Sequence, residues 1–156
     1  MSHSLAPWTC DTCGQPIHNV DDGWVEWIEF KSPEGRKGRD LRLVHSRPAS
    51  PTGGRCQFNQ QAERQRDGGI ILDRQLSSFL GPDGLMDLLS LIAESRLPTE
   101  DVLEMIKRLN IPGYEQARMH FDGAISEGVF EPNTMRGYYH QVDIEAVLEH
   151  LEDQRG

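Results

Sequence analysis

Apolar and polar positions alternate with a period of two over residues 23–30. Trp24, Glu26, Ile28 and Phe30 fall on one side, and Val25, Trp27 and Glu29 on the other. Aromatic and branched residues at that spacing predict a β-strand, and neither of its faces is purely apolar. The alternation resumes over residues 40–45, where Leu41, Leu43 and His45 share a face. Between them, residues 32–38 contain Pro33, Gly35 and Gly38 among polar neighbours, so the pair reads as a hairpin with a long loop.

Beyond the hairpin, Pro48, Pro51, Gly53 and Gly54 exclude helix and central strand, and residues 56–66 then read as helical. Asp67-Gly68-Gly69 is the strongest break in the chain, and Ile70, Ile71 and Leu72 after it form a packing segment or an extra strand. The period then changes to that of amphipathic helices. Leu85, Leu88, Leu89 and Ile92 make one stripe, and Val102, Met105, Ile106 and Leu109 make another. A third runs through Ala117, Phe121, Ala124 and Ile125, and a last helix begins near Asp143 and buries Ile144, Val147, Leu148 and Leu151. His120 falls on the third stripe, as a core histidine with one hydrogen bond would. Residues 129–142, with aromatics around Pro132-Asn133 and Gly137, predict a short hairpin.

Composition changes this picture in two ways. The 156 residues are 37% apolar, which is lean for one large core and favours two units, a β-hairpin module over 1–67 and an acidic helical domain over 70–156. The formal charge of −9 is also unevenly placed. Residues 1–80 hold ten acidic and ten basic side chains, whereas residues 81–156 hold fifteen acidic against six basic. No apolar run long enough for a bilayer and no secretory leader are visible, so a cytoplasmic location is expected.

The chemistry is concentrated near the start. Cys10 and Cys13, two residues apart and followed by Gly14 and Pro16, can form a knuckle with both sulfurs facing one ion. The one remaining cysteine, Cys56, and His45 at the end of a predicted strand complete a tetrahedral set of three thiolates and one imidazole. A closed shell leaves no place for water or substrate, so the expected cofactor is a structural Zn2+. His18 competes with His45 as fourth ligand. A ring closed through His18, however, gives the hairpin and Cys56 no role. A dithiol redox reading needs a preceding strand and a helix opening at the cysteines, and only nine residues come first.

Knuckle, hairpin, then a ligand entering a helix resembles the order of parts in treble-clef and ribbon-like zinc folds, over roughly the first third of the chain. The fold class expected is therefore α+β: a small zinc-stabilised hairpin module followed by a mainly helical domain. Helix, turn, helix and hairpin over residues 99–142 also resembles a winged-helix layout.

Arg36, Lys37, Arg39, Arg42, Arg47 and Arg55, opposed in sequence by Asp40 alone and close to Trp24 and Trp27, form a candidate macromolecule-binding rim. The acidic whole opposes nucleic acid, so the same residues also read as a solvated rim or as a dock for acidic helices. No nucleophile elbow, phosphate-cradling loop or HExxH helix is present. The expectation is a non-enzymatic protein that binds another protein, with no membrane partner. The alternatives are a nucleic-acid-binding regulator using the basic rim or the winged-helix-like half, and an enzyme with an unrecognised site in the helical domain.

Overall fold

The computed structural model describes residues 4–156 and has a mixed α+β architecture, with two small antiparallel sheets and six α-helices among the described residues. Trp8–Thr9 (β1) and Pro16–Ile17 (β2) pair antiparallel around the cysteine knuckle. Asn19 caps a short 3-10 turn by accepting a hydrogen bond from the Asp21 N–H, and the chain enters β3 (Gly23–Ser32). This strand pairs with β4 (Gly35–His45) on one side and β5 (Ile70–Gln75) on the other, giving the order β4-β3-β5.

Two expectations change here and a third is decided between its alternatives. The long loop over 32–38 is a tight turn: Ser32 pairs with Gly35 and its hydroxyl donates to the Gly35 carbonyl at 2.7 Å, so Arg36 and Lys37 belong to the strand. Residues 70–72 are the extra strand rather than a packing segment, which makes β3 the central one of three. The helix expected from Cys56 is α1 (Gln60–Asp67), capped by Asn59, whose side chain accepts from the Ala62 N–H at 2.9 Å.

One irregularity sets the chemistry of the sheet. Glu26 pairs with Arg42 and Ile28 with Arg39, so two steps on β3 match three on β4, and Asp40 in the extra step has a φ of 58°. Strict alternation would send Arg39 and Arg42 to opposite faces. The bulge turns both toward the face covered by α1, where Glu63 and Asp67 receive Arg39.

The outer edge of β5 is finished by a side chain. Gln60 Oε1 accepts from the Ile71 N–H at 3.1 Å, and its Nε2 donates to the Gly69 carbonyl at 2.9 Å. The carboxamide thus occupies the position that the backbone amide of a further strand would take.

On the opposite face lie a 3-10 turn (Leu76–Phe79), α2 (Gly81–Glu94) and α3 (Thr99–Asn110). Trp27 meets Phe79 edge-on at 6.3 Å between ring centroids, and Gly38 leaves room for Leu97. One apolar cluster runs from Trp8 and Ile17 through Val25, Leu43 and Phe79 to Leu88, Val102, Met105 and Leu109, including residues on both sides of Asp67-Gly68-Gly69. On α2, Leu88 is buried and Leu91 half-buried, whereas Leu89 is 44% exposed, so the predicted stripe is displaced around the helix.

A second cluster joins Tyr114, Ala117, Phe121, Ala124, Tyr139, Ile144, Val147 and Leu148. The stripe predicted as one helix is divided into α4 (Tyr114–Ala117) and α5 (Phe121–Ser126), and α6 (Gln141–Arg155) starts just ahead of Asp143. His120, expected inside, is exposed at the break between α4 and α5. The hairpin expected over 129–142 does not form. Phe130 and Tyr139 turn inward instead, 5.3 Å apart and against Phe121, and without strands the winged-helix layout has no wing. No described helix is long and apolar enough to cross a membrane.

Candidate metal centre

Four side chains separated by up to 46 positions converge at one end of the sheet. Gly14, with a φ of 76°, lets the chain reverse after Cys13, and its N–H donates to the Cys10 carbonyl at 2.9 Å. The Cys10 N–H donates to the Gln15 carbonyl at 3.0 Å, which closes the knuckle. His45 ends β4, on the same face as Leu43, and Cys56 lies in the bend before α1 rather than at its start. The donor atoms of Cys10, Cys13, His45 and Cys56 all lie within 4.8 Å of one another, and the three cysteines form no disulfide.

The orientation of His45 is the most telling detail. Its Nε2 lies 3.0 Å from the Pro16 carbonyl and donates to it, so the proton sits there and the lone pair of Nδ1 faces the sulfurs. Nδ1 is 3.4 Å from Cys13 Sγ and 3.9 Å from Cys56 Sγ. Ligand pairs around a tetrahedral ion with metal–ligand bonds of 2.0–2.3 Å should stand about 3.5–3.8 Å apart. The two separations from Nδ1 lie close to that range, and the set as a whole spreads to no more than 4.8 Å, consistent with a metal site. His18, the rival fourth ligand, is exposed just after β2 and takes no part in this group.

The three thiols are not equivalent. Burial pushes the Cys13 thiol up to about 11, with Cys10 and Cys56 as neighbours adding to the rise. Burial acts in the same direction on Cys56. There it is outweighed by the hydroxyls of Ser50 and Thr52, at 3.2 and 3.7 Å, and by His45, which bring it down to about 7. A divalent ion would hold all three as thiolates. Buried sulfur and nitrogen donors with a fixed tautomer suit such an ion, and no charged substrate is needed to complete the set.

Around the donors is a layer of polar groups absent from the sequence reading. The Asp11 N–H donates to the Leu43 carbonyl and its Oδ2 accepts from the Leu43 N–H, both at 2.8 Å. Arg108 of α3, which is 3% exposed, reaches the same Oδ2 at 2.8 Å, the Thr9 carbonyl at 3.0 Å and both oxygens of Glu115 at 2.7 and 2.8 Å. Glu115 in turn accepts from the Thr9 N–H at 3.0 Å. The signal for Arg108 was its place on the stripe: it follows Met105 by one helical turn and precedes Leu109.

The predicted rim is distributed differently. Arg36 lies 3.6 Å from Glu29, Lys37 lies 3.8 Å from Glu34, and Arg39 joins Asp40, Glu63 and Asp67. Arg42 is held by the buried Glu26 and stacks over Phe58, 3.5 Å from the ring centre. Arg47 and Arg55 are exposed and make no ion pair among the described residues. Trp27 is buried, with its indole N–H donating to Glu29, and Trp24 is half-buried. A groove of about 470 Å³ runs between β4, α1 and α3; of its four arginines, Arg42, Arg108 and Arg118 already engage Glu26, Asp11, Glu104 and Glu115, whereas Arg66 makes no ion pair among the described residues. No family model, curated protein or solved structure matches this chain.

Proposed function

We propose that Cys10, Cys13, His45 and Cys56 hold a structural Zn2+ and that the protein is a non-enzymatic module that binds another protein. The observation that carries the first part is the fixed imidazole. With its Nε2–H given to Pro16, His45 can serve only through Nδ1, and that atom faces the three sulfurs. Three sulfurs and one nitrogen suit zinc in a ribbon- or treble-clef-like setting, and a filled tetrahedron supplies folding energy rather than a reaction centre.

The choice of protein as partner rests on charge and exposed apolar surface. Most of the basic rim is neutralised by carboxylates of the same chain, and the acidic excess in residues 81–156 repels phosphate. Meanwhile Met86 and Leu89, 65% and 44% exposed, stand one turn apart on the outward side of α2, beside Asp83 and beside Asp87, whose carboxylate Arg74 already pairs at 2.8 Å. An exposed apolar pair, next to one carboxylate left unengaged among the described residues, fits a partner surface that is apolar at its centre and carries a basic group at its edge.

Metal analysis of the purified protein, followed by chelation under circular dichroism and co-purification from the host, tests the reading. One zinc per chain, loss of β signal on chelation and a protein partner retained at moderate salt are expected. Absence of zinc together with a spectrum indifferent to chelator would overturn the metal assignment. Salt-sensitive binding of duplex or single-stranded nucleic acid, weakened by charge reversal at Arg47 and Arg55, would overturn the partner assignment.

A further inference from the structure

We infer that Arg108 and Glu115 are positioning residues of the metal centre, so that occupancy of the metal site and docking of α3 and α4 on the knuckle form one equilibrium. The inference rests on the metal assignment above and extends it to residues that touch no ligand atom.

The geometry is specific to the residues beside the ligands. Thr9 and Asp11 flank Cys10 on either side, and Arg108 binds both, through the Thr9 carbonyl at 3.0 Å and Asp11 Oδ2 at 2.8 Å. Glu115 closes the circuit by accepting from the Thr9 N–H at 3.0 Å and from two guanidinium nitrogens. Asp11 carries the same connection to the other half of the ligand set. It forms reciprocal hydrogen bonds with the backbone of Leu43, two residues before His45 on β4. A single buried guanidinium therefore fixes the knuckle in register with the strand that presents the imidazole.

Energetics favour coupling over mere contact. Arg108 is 3% and Glu115 4% exposed, so neither charge is tolerable unless the other is in place and the hydrogen bonds to Thr9 and Asp11 are made. Those acceptors are in position when the knuckle is closed, and an ion shared by its sulfurs and His45 would reinforce the backbone hydrogen bonds that close it. By linkage, whatever the metal contributes to docking of α3 and α4, docking contributes equally to metal affinity. Groups that orient first-layer ligands typically alter affinity by about 10–100-fold when removed.

The test uses the full chain with zinc as the probe. The neutral pair Arg108→Gln with Glu115→Gln avoids a lone buried charge, and Val147→Ala in the second apolar cluster serves as a control for loss of buried volume. Zinc affinity is measured by chelator competition and ligand geometry by the visible spectrum of the Co2+ form. Hydrogen exchange over residues 99–117 is followed in wild-type protein with and without zinc. We expect the double variant to bind zinc about 10–100-fold more weakly with an altered Co2+ spectrum, Val147→Ala to bind as wild type does, and zinc to protect residues 99–117. Wild-type zinc affinity in the double variant, or exchange over 99–117 indifferent to zinc, overturns the coupling while leaving the metal assignment standing. A wild-type protein that takes up no zinc overturns both. If the double variant does not fold, the exchange measurement on wild-type protein decides alone.

Discussion

Glu26 and Arg42 face each other across β3 and β4, with the guanidinium Nε 2.8 Å from a carboxylate that has no exposed surface. The remaining capacity of that carboxylate is taken by the Phe58 N–H at 3.0 Å, which ties the segment between Cys56 and α1 to the sheet. Removing one partner strands a buried charge. Arg42→Met should cost about 3–5 kcal/mol, measured by urea unfolding, and adding Glu26→Gln should recover part of it. The pH dependence gives an independent check. Burial already pushes the Glu26 carboxyl up, and Arg42 opposes that rise. Without Arg42 the native carboxyl titrates well above its unfolded value, so the folded state binds the extra proton and stability falls as pH rises. The Arg42→Met variant should therefore be more stable in mildly acidic than in mildly alkaline buffer.

Substitution within the donor set should separate ligand from bystander. Cys56→Ser or His45→Ala is expected to strip the metal and abolish cooperative melting of the sheet, whereas His18→Ala, at an exposed position, should leave both unchanged. Zinc stoichiometry and thermal circular dichroism on the three variants check this. Acidification should also release the metal, because protons compete for the thiolates and the imidazole.

Asp67 makes a gentler acid limb. The Arg39 guanidinium, at 3.0 Å, holds its carboxyl below the ordinary carboxylate range. A depressed native value means that the contribution is complete above the unfolded value of about 3.9 and is lost as pH falls through the native one. The Asp67 side chain is 27% exposed and open to solvent screening, so that contribution is at most about 1 kcal/mol. Asp67→Asn should lower stability at neutral pH by about that amount and converge on wild type as pH falls through the native value, which flattens the acid side of the curve.

Gly84 offers a case where propensity and packing predict opposite signs. Replacing glycine with alanine inside a helix ordinarily stabilises by about 0.5–1 kcal/mol. A Cβ at Gly84, however, would lie 2.1 Å from the backbone carbon of Phe79, where α2 crosses the 3-10 turn beneath it. Backbone cannot rotate aside as a side chain can, so Gly84→Ala should destabilise by about 1–3 kcal/mol. A thermal midpoint equal to or above wild type would refute that.

The outward side of α2 makes the partner proposal concrete. Met86→Gln with Leu89→Gln should change stability by no more than about 0.5 kcal/mol, as for surface positions, yet abolish retention of a co-purifying protein. Retention undiminished by both substitutions would move the contact elsewhere.

The donor set was legible because knuckle spacing and residue type act locally: Cys10, Cys13 and Gly14 announce the turn that joins them, and alternation brought His45 to the apolar side of its strand. The α3 stripe and the core of α6 were legible for the same reason, since periodicity reports the face that is buried. What escaped depended on distant partners. Residues 70–72 become a strand rather than a packing segment because β3 offers an unpaired edge, and the apolar run alone left both readings open. The bulge at Asp40 changes which arginines share a face, so a cluster read as a free basic rim is largely consumed by Glu26, Glu63 and Asp67. Residues 129–142 failed in the reverse direction: aromatic content suited to strands is used to cover Phe121.

Gln60 has a bearing on how this protein avoids unwanted company. By seating a carboxamide against Ile71 and Gly69, it shuts the first rung of the outermost ladder to strands from other molecules, an aggregation route that open sheet margins invite. Ribbon extension is thereby discouraged where that margin begins.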